Sequence, residues 1–229
     1  MEVLVQQGAR EREALSAFQR FAGLPITGIL DEATKAKMQQ PHCGVPDMGA
    51  FIYRYGYGVH NRWYHNVLVW SLQEGSRWVS RENTRKPLRE AFQIWESVIP
   101  LRFREVRYDV VNKDIWVRFR TWFHNDFDPF DGRGNVLAHT FFPPSGEMHF
   151  DDDEAWTYKD ARKLNSWWYT DLVEVAIHEI GHLLGQTHSY HPNAIMKPFH
   201  RARTFRRGYT TPELHADDIQ RIQALYGRP

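Results

Sequence analysis

The segment HEIGHLLGQTH holds three histidines and a glutamate at spacings that suit a catalytic zinc ion. His178 and His182 are four residues apart, so in a helix they lie on one face and can bind one metal ion. We expect Gly185 to end the helix, so that the chain turns back and His188 supplies a third imidazole. Three neutral imidazoles leave one coordination position open, which is typical of catalytic zinc. Glu179 is placed to act as general base toward the attacking water.

A methionine strengthens this prediction. Met196, in NAIMKP, lies where the long metzincin peptidase motif places a methionine turn. The five-residue pattern HExxH occurs by chance in unrelated helices. The longer pattern, with its glycine and third histidine, is far less frequent by chance. The two segments together predict a zinc peptidase site, in which Met196 packs beneath the metal and takes no part in the chemistry.

Cys43 is the only cysteine, and it lies between two prolines in PHCGVPD. A single cysteine excludes an internal disulfide framework, so the thiol is free, intermolecular or a metal ligand. Spacing alone does not decide among these three.

Length and composition indicate one domain of ordinary size with an appendage. The chain has 229 residues, 42% of them hydrophobic and 25% charged, and its formal net charge is +1. This net charge does not indicate nucleic acid or an anionic membrane as partner. No run of 18 apolar residues predicts a transmembrane span. The first residues have no apolar stretch before their charges, so they are not predicted to be a signal peptide.

Helices and strands that could position these residues follow from periodicity. Two helices are predicted over 10–22 and 31–40, the second with Asp31 as N-cap, followed by an extended linker over 41–64. Strands are predicted over 66–72, 101–106, 114–120 and 135–142, with a long loop over 121–135. Three further helices are predicted, over 80–99, 166–185 and from about 211 to 227. The pattern predicts a small N-terminal helical segment followed by an α+β domain.

From about residue 13 to 227 the sequence resembles the matrix metalloproteinases. PHCGVPD resembles the cysteine-switch motif of that family, HEIGHLLGQTH with NAIMKP resembles its catalytic motif, and LHADDIQRIQALYG is similar to its last helix. The resemblance implies a metzincin-type fold, in which a twisted mixed sheet packs with a long active-site helix behind a short helical propeptide. It also implies a latent endopeptidase of extracellular matrix-type proteins, with Cys43 as the fourth zinc ligand in place of the water. The expected division is a partial propeptide over 1–50 and a catalytic domain over 51–229.

One residue of the switch motif departs from the family. His42 stands where arginine is usual. Arginine is a permanent charge, whereas histidine loses its charge near neutrality. We therefore expect a weaker lock that depends more on pH, which the change His42→Arg would test.

The resemblance implies further metal sites. A structural zinc site would use His124, Asp126, His139 and His149, a closed set of three imidazoles and one carboxylate. A calcium site would use the side chains of Asp131, Asp151 and Glu154 and the carbonyl groups of Gly132, Gly134 and Val136. A second calcium site would use Asp114, but the connection PPSGEM is short and lacks the glycine-rich ligands, so we expect that site to be incomplete. The expected cofactors are thus two zinc ions and at least one calcium ion.

Substrate handling is less clearly encoded. Pro198 and His200 match the wall of the main specificity pocket of the family, although His200 replaces the usual tyrosine. The basic loop 200–209 would favour acidic substrates or extracellular polyanions, or would simply be solvated. Activation is expected to need cleavage near Gly49–Phe51 by another protease or by autolysis, after which Asp217 or Asp218 would pair with the new N-terminus. By resemblance the protein is secreted and monomeric, and tissue-inhibitor proteins are expected partners.

Three alternatives belong to other classes. A catalytically inactive zinc-binding or adhesion module would keep the fold, but it would not need Glu179. An astacin-like enzyme usually has internal disulfides, which a single cysteine forbids. Residues 10–40 look like a peptidoglycan-binding segment, which would suit a cell-wall hydrolase, but the zinc motif does not resemble the site of such an enzyme.

Overall fold

A computed structural model describes residues 2–45, 62–200 and 204–229. The chain divides into two compact units, Met1–Gln40 and Pro41–Pro229. The predicted domain boundary between residues 50 and 51 and the expected cleavage region Gly49–Phe51 both lie outside the described residues. Within the described ranges, no helix combines the length and the apolar character needed to cross a membrane.

The first unit contains two helices, α1 (Glu2–Phe21) and α2 (Glu32–Met38). The predicted N-cap is confirmed, because the carboxylate of Asp31 accepts a hydrogen bond from the Thr34 N–H at 2.8 Å. Gln19 is fully buried and organises the turn between the helices: its amide oxygen accepts from the N–H groups of Thr27 and Gly28 at 2.9 and 2.8 Å. Helix α1 begins at Glu2 and not at residue 10 as predicted, because the helical spacing of apolar residues is clear only from residue 10 onward.

The second unit is built on a six-stranded mixed sheet, which confirms the predicted fold class. Its strands lie in the order β1-β5-β6-β4-β2-β3, and all neighbours are parallel except β5 and β6. The bounds of these strands are β1 His42–Cys43, β2 Val67–Glu74, β3 Arg102–Glu105, β4 Ile115–Arg120, β5 Val136–Thr140 and β6 Glu147–Asp151. Two short strands, β7 (Trp156–Thr157) and β8 (Thr170–Asp171), pair separately.

The described part of this unit has four helices: α3 (Arg81–Glu96), the short α4 (Ala161–Leu164), α5 (Leu172–Leu183) and α6 (Ala216–Tyr226). Two of them, α3 and α5, pack against the sheet. The side chains of β4 alternate between buried and half-buried, so one face of the strand enters the core. Every residue of α5 is buried, and the Trp95 indole on α3 donates a hydrogen bond to the Ile177 carbonyl oxygen at 2.8 Å. The helix that bears the zinc motif is therefore fixed inside the core.

Some predicted boundaries are wrong. The long helix begins at Leu172 and not at residue 166, because Asp171 caps it by accepting from the Val173 N–H at 3.1 Å. The preceding residues form α4, a turn and β8. The last helix begins at Ala216 and not near 211, because His215 is its N-cap. Strand β6 was not predicted, since charged residues flank its short apolar centre.

Candidate active site

Helix α5 carries three of the predicted site residues on its inner side. His178, Glu179 and His182 are all buried within it. The helix ends where the motif predicts, because Gly185 adopts a φ of +93°, a left-handed conformation that glycine tolerates better than other residues. The reversal brings His188 back, and its ring centroid lies 4.7 Å from that of His182 and 5.4 Å from that of His178.

Backbone carbonyl groups orient two of these imidazoles. His178 Nδ1 lies 2.7 Å from the carbonyl oxygen of Ile195, and His182 Nδ1 lies 2.7 Å from that of Gln186. Because a carbonyl can only accept, each Nδ1 carries the proton, and the lone pair is at Nε2. The two Nε2 atoms face each other at 3.1 Å. Two lone pairs aimed at one point suit a shared cation.

Burial keeps the imidazoles neutral. It lowers the pKa of His178 to about 4, and it lowers the pKa values of His182 and His188 well below the usual range for histidine. Neutral imidazole is the form that binds a metal ion, so the protonation state and the orientation of the rings agree.

The thiol of Cys43 completes this cluster. Ligand atoms of Cys43, His178, His182 and His188 all lie within 4.8 Å of one another, and all four residues are buried. Three imidazole nitrogens and one sulfur form a donor set that suits a four-coordinate zinc ion. The structure therefore brings together the residues that the two motifs placed far apart in sequence.

Backbone hydrogen bonds on both sides hold the cysteine segment in place. On one side, the N–H groups of His42 and Gly44 donate to Asn135 and Ala138 oxygens at 2.6 and 2.8 Å. On the other side, the Cys43 N–H donates to the Pro198 oxygen at 2.9 Å, and the His200 N–H donates to the Pro41 oxygen at 2.8 Å. The segment thus lies as a strand in a cleft between β5 and residues 198–200.

Glu179 lies at the bottom of this cleft and is fully buried. Its Oε2 accepts a hydrogen bond from the Thr140 hydroxyl at 2.6 Å. Burial raises the pKa of Glu179 to about 7, although hydrogen bonds with Thr140 and Cys43 act in the opposite direction. A carboxyl group next to the imidazole cluster is placed to exchange a proton there.

Met196 is fully buried and packs against α5. A Cβ atom at Gly181 would come within 2.2 Å of the Met196 sulfur, so the methionine turn contacts α5 directly at this glycine. Asp218 fixes the turn from behind: its carboxylate accepts from the N–H groups of Ile195 and Met196 at 2.9 and 3.1 Å.

A cavity opens beside Cys43. Its lining residues are His42, Cys43, Leu137, Glu174, Val175, His178, Glu179, Ile195, Lys197, Pro198, Phe199 and His200. The predicted pocket residues Pro198 and His200 are both among them. Glu174 is buried, and its Oε1 lies 3.6 Å from His200 Nδ1, which gives the pocket wall a carboxylate as well as apolar groups.

The second predicted zinc set is also brought together. Ligand atoms of His124, Asp126, His139 and His149 lie within 4.8 Å of one another. One carboxylate oxygen of Asp126 lies 2.7 to 2.8 Å from a nitrogen of each of the three rings. Burial alone would raise the pKa of Asp126, but the three imidazole contacts lower it well below its usual range. A closed set of three nitrogens and one anionic oxygen suits a structural zinc ion.

The predicted calcium residues lie in the loop that leads into β5, at the start of β5, and at the end of β6 with the turn that follows it. The Gly134 N–H donates to a Glu154 carboxylate oxygen, and the Val136 N–H donates to Asp131 Oδ1 at 3.3 Å. Burial, with repulsion from neighbouring carboxylates, raises the pKa of Asp151 to about 7. Its Oδ2 is buried, and no hydrogen-bond donor among the described residues reaches it. Buried and mutually repelling carboxylates suit a hard cation such as calcium.

Other predicted residues have structural contacts. Asp114 Oδ2 accepts from the Val69 N–H at 2.7 Å, and Oδ1 lies 3.1 Å from His65 Nε2, so protein groups contact both oxygens. Asp217 accepts from the Ser189 hydroxyl at 2.6 Å. Gly132 has a φ of +82°, which places it at a turn of the proposed calcium loop.

Sequence reasoning missed two residues of the site. Thr140 contacts Glu179 across 39 residues of sequence, and no local pattern distinguishes it from other strand threonines. Glu174 reaches the pocket because it is four residues before His178 on α5, a spacing that could have indicated it.

Comparisons with known proteins agree with this geometry. The family model described as Matrixin matches residues 62–227, and a peptidoglycan binding domain model matches residues 6–38. The chain is similar to matrix metalloproteinase-C of Caenorhabditis elegans, with 47% identity over 94% of this chain and 37% of that protein. It is 40% identical to human matrix metalloproteinase-15, over 94% of this chain and 34% of that protein. Rabbit macrophage metalloelastase is 39% identical, over 95% of this chain and 44% of the relative. The chain therefore spans less than half the length of these relatives.

Proposed function

Because the chain belongs to the matrixin family, we propose that it is a zinc-dependent endopeptidase that its own Cys43 holds in a latent state. The observation that carries this proposal is the cluster of Cys43 with three buried, neutral imidazoles beside a buried carboxyl group. The fold and the donor set fit zinc, because both oriented imidazoles present Nε2 lone pairs to one point.

The residues of the chain divide the work of peptide hydrolysis. When bound by His178, His182 and His188, a zinc ion would polarise the scissile carbonyl group and lower the pKa of a water molecule to about 7. Glu179 takes the proton of the attacking water and delivers it to the leaving amine. Thr140 holds Oε2 of that carboxyl group, which leaves Oε1 as the oxygen that receives the proton.

Latency follows from competition for the cleft. The segment around Cys43 uses the free edge of β5 and the wall at Pro198, and an extended substrate would need the same backbone groups. Activation requires the thiol to leave and the segment to be removed, by another protease or by autolysis. Of the two acids at the start of α6, Asp217 is the better candidate for the new N-terminus, because Asp218 is committed to the methionine turn.

The other metal sites are proposed to stabilise the unit. His124, Asp126, His139 and His149 would hold a structural zinc ion, and the loops around Asp131 and Glu154 would hold calcium. A calcium requirement agrees with action outside the cell on protein substrates, which we propose from the family. Inhibitor proteins that recognise matrix metalloproteinases are proposed partners on the same basis.

Cleavage of a quenched fluorescent peptide tests this function. We expect the full chain to be nearly inactive, Cys43→Ala to be active, and Cys43→Ala with Glu179→Ala to be inactive while it still binds zinc. Metal analysis of each variant is the control. Equal and measurable activity in the parent and in Cys43→Ala would refute the lock. A Cys43→Ala variant that stays inactive with zinc bound, even after a protease has removed the segment around Cys43, would refute the peptidase.

A further inference from the structure

A cluster of exposed tryptophans lies away from the proposed catalytic residues. Trp167 and Trp168 are 84% and 40% exposed, and their rings meet edge to face with centroids 5.3 Å apart. The Arg133 guanidinium lies 3.2 Å from the Trp168 ring centroid and donates to the Trp168 carbonyl oxygen. Trp122, which is 61% exposed, lies beside Gly132, the residue that precedes Arg133.

Further basic residues lie in the neighbouring segments. Arg162 and Lys163 are exposed on α4, just before the tryptophan pair. Asn165 ties this region to Phe205, with the Phe205 N–H donating to Asn165 Oδ1 at 2.7 Å and the Asn165 amide donating to the Phe205 oxygen at 3.1 Å. This contact places exposed Arg206 and Arg207 next to the same region. We call the whole the aromatic-basic surface; its members are Trp122, Arg133, Arg162, Lys163, Trp167, Trp168, Arg206 and Arg207.

The basic side chains of this surface form no close ion pair with any described residue, although the charge of Arg133 is felt by the Glu154 carboxylate. Among the residues that the structure describes, no carboxylate lies within 4.0 Å of any of its five basic side chains, whereas Arg85, Arg89, Arg118 and Arg120 all have such partners. The Asp160 carboxylate accepts from the backbone N–H groups of Arg162 and Lys163 and not from their side chains. These five basic side chains therefore remain available to an anionic partner.

We propose that the aromatic-basic surface docks the protein on a lipid bilayer with anionic headgroups. Tryptophan prefers the boundary between headgroups and acyl chains, where its ring is buried and its N–H stays hydrated. Lysine and arginine near the surface add attraction to anionic lipids. Three exposed tryptophans and five cations, none of which has a carboxylate within 4.0 Å among the described residues, present both features in one region of the chain. A sulfated polysaccharide would need the cations but would leave the protruding indole rings without an apolar environment.

Vesicle co-sedimentation of the full chain tests this proposal. We expect binding to vesicles of phosphatidylcholine mixed equally with phosphatidylserine, weak binding to phosphatidylcholine alone, and weaker binding at high salt. The double change Trp167→Ala and Trp168→Ala should reduce affinity by on the order of tenfold or more. The double change Arg162→Gln and Lys163→Gln should reduce it by about 25-fold at low salt, about fivefold for each charge.

Matched controls lie elsewhere on the same unit. Tyr64 is 79% exposed and lies 5.5 Å from the Arg62 guanidinium, so Tyr64→Ala removes an exposed aromatic ring beside an arginine. Arg104→Gln removes an exposed arginine from β3. Both controls should bind like the parent, and all variants should keep the same thermal unfolding temperature. Unchanged binding in the tryptophan variant would overturn the proposal, and so would binding to heparin but not to anionic vesicles.

Discussion

The contact between Gly181 and Met196 makes the packing beneath the zinc motif open to test. An ideal Cβ at position 181 would lie 2.2 Å from the Met196 sulfur, 2.9 Å from its methyl carbon and 3.1 Å from Cζ2 of Trp95. Met196 and Trp95 are both fully buried, so neither can move into solvent. The change Gly181→Ala therefore requires a rearrangement inside the core.

Two opposing effects set the magnitude. Alanine has a higher helix propensity than glycine, which favours the variant by about 1 kcal/mol. Overpacking a well-filled core costs about 1–3 kcal/mol, and contacts this short place the variant at the upper end. We expect a net loss of about 1–2 kcal/mol in the free energy of unfolding, which for a unit of this size lowers the melting temperature by about 2–8 °C.

A double-variant cycle isolates the contact. Met196→Ala alone leaves a cavity and should cost about 2–5 kcal/mol. In that background the alanine at position 181 has room, so Gly181→Ala should become neutral or stabilising, with a coupling of at least about 1 kcal/mol. Thermal unfolding in a Glu179→Ala background, with zinc and calcium in excess, avoids self-cleavage. The packing argument fails if Gly181→Ala is as stable as the parent, or if its cost is the same in both backgrounds.

Three further changes probe other parts of the molecule. Asp218→Asn places an amide donor beside the N–H groups of Ile195 and Met196. It should lower the free energy of unfolding, measured with urea, by about 2–4 kcal/mol. Asp217→Asn should lower it by well under half of that. Gln19→Leu leaves the N–H groups of Thr27 and Gly28, in the turn between α1 and α2, without their hydrogen-bond acceptor. The free energy of opening of residues 2–40, measured by hydrogen exchange, should therefore fall by about 2–4 kcal/mol. Gln39→Leu, which changes an exposed glutamine, is the control. Glu174→Leu removes the carboxylate from the pocket wall. In a peptide library, we expect cleavage of peptides with large apolar side chains in that pocket to increase by about tenfold relative to peptides with basic ones. An unchanged profile would place the Glu174 carboxylate outside the substrate's reach.

The residues of the candidate active site were more predictable than the elements that carry them. The spacing of His178, His182 and His188 was enough to predict that their rings meet, because one helix and one glycine turn bring the three side chains together. By contrast, the start of α5 depends on Asp171 acting as a cap, and several aspartates and serines upstream could have served equally well. Local capping signals compete, and tertiary contacts decide among them.

Contacts between residues far apart in sequence could be predicted only where a known motif implied them. Cys43 reaches the histidine cluster because the whole segment pairs with β5, a contact that resemblance implied but spacing could not give. Thr140 on Glu179, and Arg133 on Trp168, join residues from separate elements, and no periodicity marks either pair. The exposure of the tryptophans could not be predicted either, because patterns of hydrophobic residues predict that such side chains are buried.

In the proposed latent state, more than the thiol would hold the segment around Cys43. Four backbone hydrogen bonds fix residues 41–44 between β5 and the wall of the cleft, and at a net value of about 0.5–1.5 kcal/mol each they contribute on the order of 2–6 kcal/mol. Gly44 lies so close to β5 that a Cβ there would meet the Val136 side chain at 2.7 Å, so the segment is fitted to this edge. Removing the thiol from Cys43 therefore frees the metal position but leaves a strand across the substrate path. Full activity should require cleavage of the chain as well, and Cys43→Ala should gain further activity when a protease removes the segment.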